Sequence, residues 1–432
     1  MTSEVAYTTS ALDYAYGVPR YGDLGNASFI RHLPVNTISG ASTINFSIPP
    51  TDNFIDLQEC YMVLKLKIYR SEPEADLQAA DNVAFADNTP FSVFKSVVVY
   101  LNSTKITPST VYQTYANYFA TRFGNGKAAT KIHLKHLQGI TGEAPGQNDA
   151  KAAAATGWTI HKAWTTQSKE VCFITQIPDD FFRSCSKFLP PLQDLKLEFK
   201  LNDPTFALVG AGEEYTFKIT GFEIFTRQID VAASTTMSIF KQQAVKPLKL
   251  NFTNLTIQSF TIPARKQTEF IRGIFPHEMP HQIFLILVET DRINGVLAKD
   301  PFKFEHAMID KVILRQNGLP VMTEAINTNF AADGDAKEAY FFLCQAFDVG
   351  FNSRDVNLTY EEFRNGSTIF SWTISPDMDA NNGVGIIQKP GNFEADIYVT
   401  NGHVNNPALT AIFLGKFCKT VEIGRDNRTV LY

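Results

Sequence analysis

The chain has 432 residues, of which 44% are hydrophobic and 19% charged. This composition excludes a disordered protein and leaves enough apolar material for two domains, each with its own core. The formal net charge of −5 comes from 39 basic and 44 acidic residues mixed along the chain, so we predict no specific nucleic-acid binding and no genome packaging by a basic arm.

The N-terminal region shows no sustained hydrophobic period. Residues 1–42 mix Tyr, Gly, Ser and Pro, and we predict an arm there that folds against something else or stays mobile. Residues 1–16 lack a basic region followed by an apolar core, and no stretch of the chain approaches the ~18 apolar residues of a spanning helix. We therefore expect a soluble, intracellular protein without a membrane span.

Strands are predicted after this arm from two kinds of pattern. Apolar and charged residues alternate in 62–69, 195–200 and 393–397, which is typical of half-buried antiparallel strands. Continuous apolar runs at 97–101 and 283–288 predict strands that are covered on both faces.

The clearest helix is predicted over 111–123. Its aromatic residues recur at spacings of three and four and share one face, which we expect to pack on a sheet. These residues are Tyr112, Tyr115, Phe119 and Phe123. The run 124–166 lacks strand alternation and predicts a long exposed loop, and a second insertion is predicted between residues 327 and 355. A polar stretch over 232–249 predicts the boundary between two halves.

The five cysteines are odd in number, far apart and without a Cys-x-x-Cys pair. They are Cys60, Cys172, Cys185, Cys344 and Cys418. This pattern favours buried free thiols in a reducing compartment over a disulfide framework or a zinc site.

Two short segments recur at nearly the same distance along the chain, which indicates a duplicated domain. Phe46-Ser47-Ile48-Pro49 recurs as Phe260-Thr261-Ile262-Pro263. A run from Phe91 to a turn at Asn102-Ser103 recurs from Phe304 to Asn317-Gly318.

We predict an all-β fold of two tandem jelly-roll β-sandwiches, a double jelly roll, with a few short helices and long inserted loops. The predicted division is an N-terminal arm over 1–42, a first jelly roll over 43–240 with the long loop 124–166, and a second jelly roll over 241–432. The absent Cys-Trp-Cys pattern disfavours an immunoglobulin-type sandwich.

Motif fragments give no active site. His277-Glu278-Met279-Pro280-His281 matches a zinc-protease pattern, but Pro280 would break the helix that this site requires, so we predict a loop that leads into a strand. The other fragments are interpreted as surface or turn residues: His133 and His136, Gly124-Asn125-Gly126-Lys127, Asp52 with Asp56, and Asp377 with Asp379. We predict no catalytic, cofactor-binding or metal site and no enzymatic activity.

Three blocks of sequence together resemble one family. The first is Ile44-Asn45-Phe46-Ser47-Ile48-Pro49, Asp52-Asn53-Phe54-Ile55-Asp56-Leu57 and Leu64-Lys65-Leu66-Lys67-Ile68. The second is Asp87-Asn88, Ser92-Val93-Phe94, Leu101-Asn102 and Tyr112-Gln113-Thr114-Tyr115. The third is Gly366-Ser367-Thr368-Ile369-Phe370, Ile374-Ser375-Pro376-Asp377, Gly391-Asn392-Phe393 and Val421-Glu422-Ile423-Gly424-Arg425-Asp426. In this order they resemble the double jelly roll major capsid proteins of Polinton/Maverick elements, adintoviruses and Polinton-like viruses. The chain departs from that family at Ser103, where Gly is frequent, and at Gly424, where Asp is commoner.

The resemblance implies a structural protein of the virion capsid, assembled inside the host cell. Three chains would form a pseudohexagonal capsomer that tiles an icosahedral shell, with a single jelly roll vertex (penton) protein as a further partner and no catalytic residues. One alternative is a glycan-binding or glycan-acting double β-sandwich, which needs Trp and acidic residues at the domain junction, whereas the three tryptophans are Trp158, Trp164 and Trp372. Another is an endogenised viral capsid gene in a host scaffold role.

Overall fold

The computed structural model describes residues 24–107, 112–140, 148–150, 156–211, 214–321, 325–351, 356–375, 391–399 and 406–431. Strands and short helices fill these ranges, and the strands belong to several antiparallel sheets. The predicted all-β class is confirmed.

The strands from the first half of the chain pair only with one another within the described residues. They are β1 Leu24–His32, β2 Thr43–Ile48, β3 Phe54–Arg70, β4 Ala75–Asp76, β5 Asn82–Phe85, β6 Phe94–Leu101, β7 Thr104–Lys105, β8 Val171–Gln176, β9 Leu195–Leu201, β10 Leu208–Ala211 and β11 Tyr215–Val231. The order β1-β11-β3-β8 forms sheet 1, with β4 also on β3, and β2-β9-β6-β7 forms sheet 2. A separate ribbon joins β5 and β10.

The strands from the second half repeat this arrangement. They are β12 Leu248–Ile262, β13 Thr268–Arg272, β14 Gln282–Glu289, β15 Lys311–Gln316, β16 Leu319–Pro320, β17 Ile326–Asn327, β18 Ile369–Thr373, β19 Phe393–Tyr398, β20 Leu409–Ile423 and β21 Thr429–Leu431. The order β12-β20-β14-β18 forms sheet 3 and β13-β19-β15-β16 forms sheet 4. Each half thus has eight main strands in two four-stranded sheets, the arrangement of a jelly roll. We call β1–β11 the first roll and β12–β21 the second roll.

The helices lie mainly between strands. They are α1 Thr89–Ser92, α2 Gln113–Phe123, α3 Lys127–Ala129, α4 Lys135–Gln138, α5 Thr156–Thr165, α6 Asp180–Ser184, α7 Pro204–Ala207, α8 Ala233–Val245, α9 Thr290–Ile293, α10 Lys337–Ala346 and α11 Tyr360–Arg364. The helix expected at 111–123 is present as α2, and the expected insertion after residue 327 contains α10. The polar stretch expected between the halves contains α8, which connects β11 to β12.

The strand order shows which of the two short sequence matches lies on equivalent strands of the two rolls. The β6–β7 hairpin, with its turn at Asn102-Ser103, corresponds to the β15–β16 hairpin, with its turn at Asn317-Gly318. The φ angles of these four residues are 49°, 67°, 52° and 82°, as two-residue turns of a right-twisted hairpin require. The other repeat is a coincidence: Phe46 lies on β2, whereas Phe260 lies on β12, and β12 corresponds to β1.

Part of the expected N-terminal arm is a strand. Residues 24–32 form β1, which pairs antiparallel with β11 at the edge of sheet 1. Nearly all of its residues are exposed, and because neither face is buried, the segment has no polar-apolar alternation that predicts a strand. Residues 1–23 lie outside the described residues.

The long exposed loop expected over 124–166 is wrong where the structure describes it. This region holds α3, a π-helical turn over Thr130–Leu134, α4 and α5. On α5, the indole Nε1 of Trp158 donates to the Val209 carbonyl at 2.9 Å, and the buried His161 ring lies 2.9 Å from the Phe85 carbonyl. Trp158, His161 and Thr165 are spaced as on one helix face, a signal that the Ala-rich and Gly-rich surroundings obscured.

All five cysteines are free thiols in the structure. The expectation that they are buried holds for Cys60 and Cys185 only. Cys172 and Cys418 are exposed, and Cys344 is half-buried.

Candidate functional site: the junction between the two rolls

Helix α2 belongs to the first roll by sequence but packs on the second. The ring of Tyr118 stacks on Phe302 with a centroid distance of 4.2 Å, and the ring of Phe119 lies 4.6 Å from that of Phe284 on β14. The Tyr115 hydroxyl donates to the Pro301 carbonyl at 3.1 Å. The aromatic face of the predicted helix therefore does pack on a sheet, but on sheet 3 of the other roll.

Helix α6 makes a second buried connection, through polar atoms. The Asp180 carboxylate accepts a hydrogen bond from the Leu255 amide on β12 at 2.8 Å. The Ser184 hydroxyl accepts from the Thr253 amide at 2.8 Å and donates to the Thr253 carbonyl at 3.0 Å. Buried backbone groups need hydrogen-bond partners. At this part of β12, the edge strand of sheet 3, side chains of α6 supply those partners in place of another strand.

The turn at Asn102 makes a third connection. Its side-chain amide donates to the Asn427 carbonyl at 2.9 Å, just before β21, and to the hydroxyl of Thr429, the first residue of β21, at 3.1 Å. Its side-chain oxygen accepts from the Asp194 amide of the first roll at 2.9 Å. One side chain thus joins the two rolls, while its backbone shapes a hairpin turn.

A buried charged cluster completes the junction. Asp149, from the insertion of the first roll, accepts from Arg292 on α9 at 2.8 Å and from the Asp300 amide at 2.6 Å. Burial, together with the negative charges of Asp149 and Asp87, raises the pKa of Asp300 to about 7. The Asp300 carboxyl accepts from the Phe302 amide at 3.0 Å. It therefore holds the backbone of Phe302, on whose ring Tyr118 of α2 stacks.

The carboxyl of Asp179, beside α6, is also buried. Burial raises its pKa to about 7, and the neighbouring Asp180 contributes in the same direction. Burial lowers the pKa of Arg183, although both aspartates oppose this effect. The Arg183 guanidinium donates to the Asn117 side chain of α2 at 3.0 Å, which ties the two junction helices together.

A cleft of about 970 Å³ opens at this junction between α2, α6 and the end of α10. Its lining is mixed, because it includes the apolar Phe119 and Phe347 and the charged Arg183 and Lys416. None of the three tryptophans lines it.

No protein-family model and no curated protein matches the chain. Solved structures match over nearly its whole length. A chain of the Sputnik virophage, solved by cryo-electron microscopy, has a TM-score of 0.68 at 12% identity, with 100% of this chain and 93% of that chain covered. The Faustovirus major capsid protein has a TM-score of 0.58 at 10% identity, with 95% and 92% covered. The mavirus major capsid protein has a TM-score of 0.53 at 11% identity, with 100% and 96% covered. The fold is a double jelly roll.

The motif fragments of the sequence do not form an active site in the described part of the double jelly roll. The segment of His277 and His281 is a bend that leads into β14, as predicted, with His277 exposed and His281 buried. Glu278 of this segment pairs with Lys419. In the described ranges, no group of three or more His, Cys, Asp or Glu side chains could hold a metal ion.

The remaining motif residues lie at the surface or in turns where described, with the exception of Asp56. His133 and His136 are exposed, and Lys127 reaches Glu362 of the second roll at 3.5 Å. Asp52 lies in a bend, but the turn interpretation is wrong for Asp56, which lies within β3 and pairs with Arg227 on β11 at 2.8 Å. Asp377 and Asp379 lie outside the described residues. Among the helices that the structure describes, none has the length and apolar character to cross a bilayer.

Proposed function

We propose that this chain is a viral major capsid protein, a structural subunit rather than an enzyme, three copies of which form a pseudohexagonal capsomer. The observation that carries the proposal is the internal repetition: two rolls with the same strand order lie in one chain and share a buried junction. Three such chains offer six similar units around a three-fold axis, so one protein can tile a closed shell through repeated contacts. Similarity to the mavirus and Faustovirus major capsid proteins supports this function.

The proposal includes a location, partners and a division of the chain. The protein would form the icosahedral shell of a virion of the Polinton/Maverick, adintovirus and Polinton-like virus group, after assembly inside the host cell. Its partners would be neighbouring copies and a single jelly roll vertex protein. We propose a domain boundary near residue 240, and the pairing of β1 with β11 supports a first roll that extends back to Leu24.

A glycan-acting double sandwich is the less favoured function. Such a protein needs aromatic platforms at an open site. Trp372 is buried in β18, and the indole N–H of Trp158 is bound to the Val209 carbonyl. The ring of Trp164 packs on that of His161 with a centroid distance of 4.8 Å. All three tryptophans therefore have packing or hydrogen-bonding partners within the chain.

Electron microscopy of the purified protein under assembly-promoting salt tests the proposal. We expect particles with a hexagonal outline, and patches of lattice or closed shells at higher protein concentration. The same sample at low concentration and low salt is the control, in which isolated capsomers should predominate. Dispersed particles of single-chain size under every condition would contradict the proposed function.

A further inference from the structure

We propose that the outward face of sheet 1 is the contact surface for the second roll of a neighbouring copy, which presents the aromatic pair Phe341 and Phe351. This inference rests on the proposed capsid function and names the surfaces that would join the chains. The contact would be heterologous, because one patch of the chain meets a different patch of the next copy. Three such contacts in a head-to-tail ring would close a trimer.

The first support is that the corresponding face of the second roll is covered within the chain. Sheet 3 corresponds to sheet 1 strand for strand. On its outward face, the ring of Phe284 lies 4.6 Å from Phe119 of α2 and 5.6 Å from Phe347. The side chain of Gln282 donates to the Ala346 carbonyl of α10 at 2.8 Å. Helices from both rolls therefore bury this face.

The outward face of sheet 1 carries an aromatic cluster that remains accessible. Phe29 on β1, Tyr61 on β3 and Phe225 on β11 form a continuous row, with centroid distances of 5.4 Å and 4.8 Å. Phe29 is 50% exposed, and Ile174 on the neighbouring β8 is 42% exposed. An apolar cluster across four strands is typical of an interaction surface.

Two ion pairs within the chain also lie on this face. Arg31 pairs with Glu223, and Arg227 pairs with Asp56 at 2.8 Å. An interface loses stability when a buried charge has no partner, and these two pairs avoid that cost if a second copy covers the face. The face therefore combines an apolar centre with ion pairs in the polar surround, and stable protein interfaces likewise have an apolar core and a polar rim.

The second roll carries a matching aromatic projection. Phe351 follows α10 and is 93% exposed, and its ring lies 5.4 Å from that of Phe341 on α10. Helix α10 lies in the insertion between β17 and β18, as α2 lies in the insertion between β7 and β8. Within the chain, α2 of the first roll covers the next roll with Phe119. By the same geometry, the α10 region would cover the next roll of the neighbouring copy.

Variants on each side of the proposed contact test it, with the mass measured by light scattering. Phe29→Asp and Ile174→Lys alter the face at two different strands, so the test survives if one of them disturbs folding. Phe351→Asp alters the projection. We expect the mass of each variant to fall from about 145 kDa to the 48.2 kDa of one chain, while its circular dichroism spectrum stays that of the folded wild type. The matched control is Phe270→Asp, on the 54% exposed Phe270 of sheet 4, which should remain a trimer.

Mixing the variants separates a head-to-tail contact from other arrangements. A Phe29→Asp chain keeps the projection and a Phe351→Asp chain keeps the face, so the mixture should form a one-to-one dimer of about 96 kDa. If the wild type is a trimer and both face variants stay trimeric, the inference is overturned while the capsid function stands. A monomeric wild type would overturn both.

Discussion

At the residue scale, Asn102 shows how one side chain can serve a local turn and a distant contact together. Its backbone has a φ of 49° in the β6–β7 turn, and its side chain reaches Asn427 and Thr429 beside β21. Asn317 has the same backbone conformation in the equivalent turn, with a φ of 52°, but within the described ranges its side chain bonds only to the nearby Asn392 of the second roll. The two positions share a backbone conformation and differ in what they join.

This pair gives a matched test of the junction. In Asn102→Ala we expect the free energy of unfolding to fall by about 2–3 kcal/mol, because several partly buried polar groups lose a partner. Asn317→Ala introduces the same backbone strain but removes fewer hydrogen bonds, so we expect a smaller decrease in the free energy of unfolding. Denaturant unfolding of both variants measures the difference. Equal losses in the two would contradict a special role for Asn102.

Asp300 gives a prediction about pH. Burial raises its pKa to about 7, above the value of an Asp in an unfolded chain. The folded state therefore binds this proton more tightly, and its contribution to stability falls as the pH rises from about 4 to 7. Asp300→Asn keeps an oxygen that can accept from the Phe302 amide but does not titrate.

We expect Asp300→Asn to match the wild type at pH 4 and to exceed its free energy of unfolding by about 1–3 kcal/mol at pH 8. Denaturant unfolding at several pH values measures this difference. A difference that is the same at pH 4 and pH 8 would show that the Asp300 carboxyl does not cause it. Arg292 and Asp149 are the charged neighbours to keep intact in this experiment.

At the element scale, α2 is the helix that joins the rolls. Phe119 is buried between Phe284 and Phe347 of the second roll. Truncation of such a ring leaves a cavity, and we expect Phe119→Ala to lower the free energy of unfolding by about 3–5 kcal/mol. Ile132→Ala, at a residue that is 69% exposed, is the control and should change little. Thermal unfolding of both variants measures this, and an unaffected Phe119→Ala would contradict the junction as described.

Sequence patterns predicted the elements whose burial is periodic. The strands at 62–69, 195–200 and 393–397 lie in β3, β9 and β19, and the helix at 111–123 is α2. Periodicity shows that one face is buried but not what buries it. For that reason the stripe of α2 did not reveal that its partner is the second roll, or that Tyr118 joins the contact.

Sequence patterns did not predict the elements that are held by residues far away in the chain. β1 is exposed on both faces and is held by backbone pairing with β11, which leaves no trace in its side chains. Helix α5 follows an Ala run whose composition predicts a loop, although Trp158 and His161 both contact the ribbon of β5 and β10. The candidate junction consists mainly of ordinary Asn, Asp and Phe residues, so no motif could have identified it.

At the scale of the whole molecule, the two rolls differ in one respect that matters for assembly. The outward face of sheet 3 is covered by helices of the same chain, whereas the equivalent face of sheet 1 exposes Phe29 and Ile174. Because the face of sheet 1 is accessible, it can be covered by the second roll of another chain. In a closed ring of three chains, the sheet 1 face of every chain would be covered.

The central claim is that three chains form one capsomer, and the mass of the wild-type protein in solution tests it most directly. Light scattering of the purified protein should give about 145 kDa, three times the 48.2 kDa of one chain. The value should persist on dilution, since obligate interfaces are large and apolar. A mass of 48.2 kDa at every concentration and salt would contradict the account.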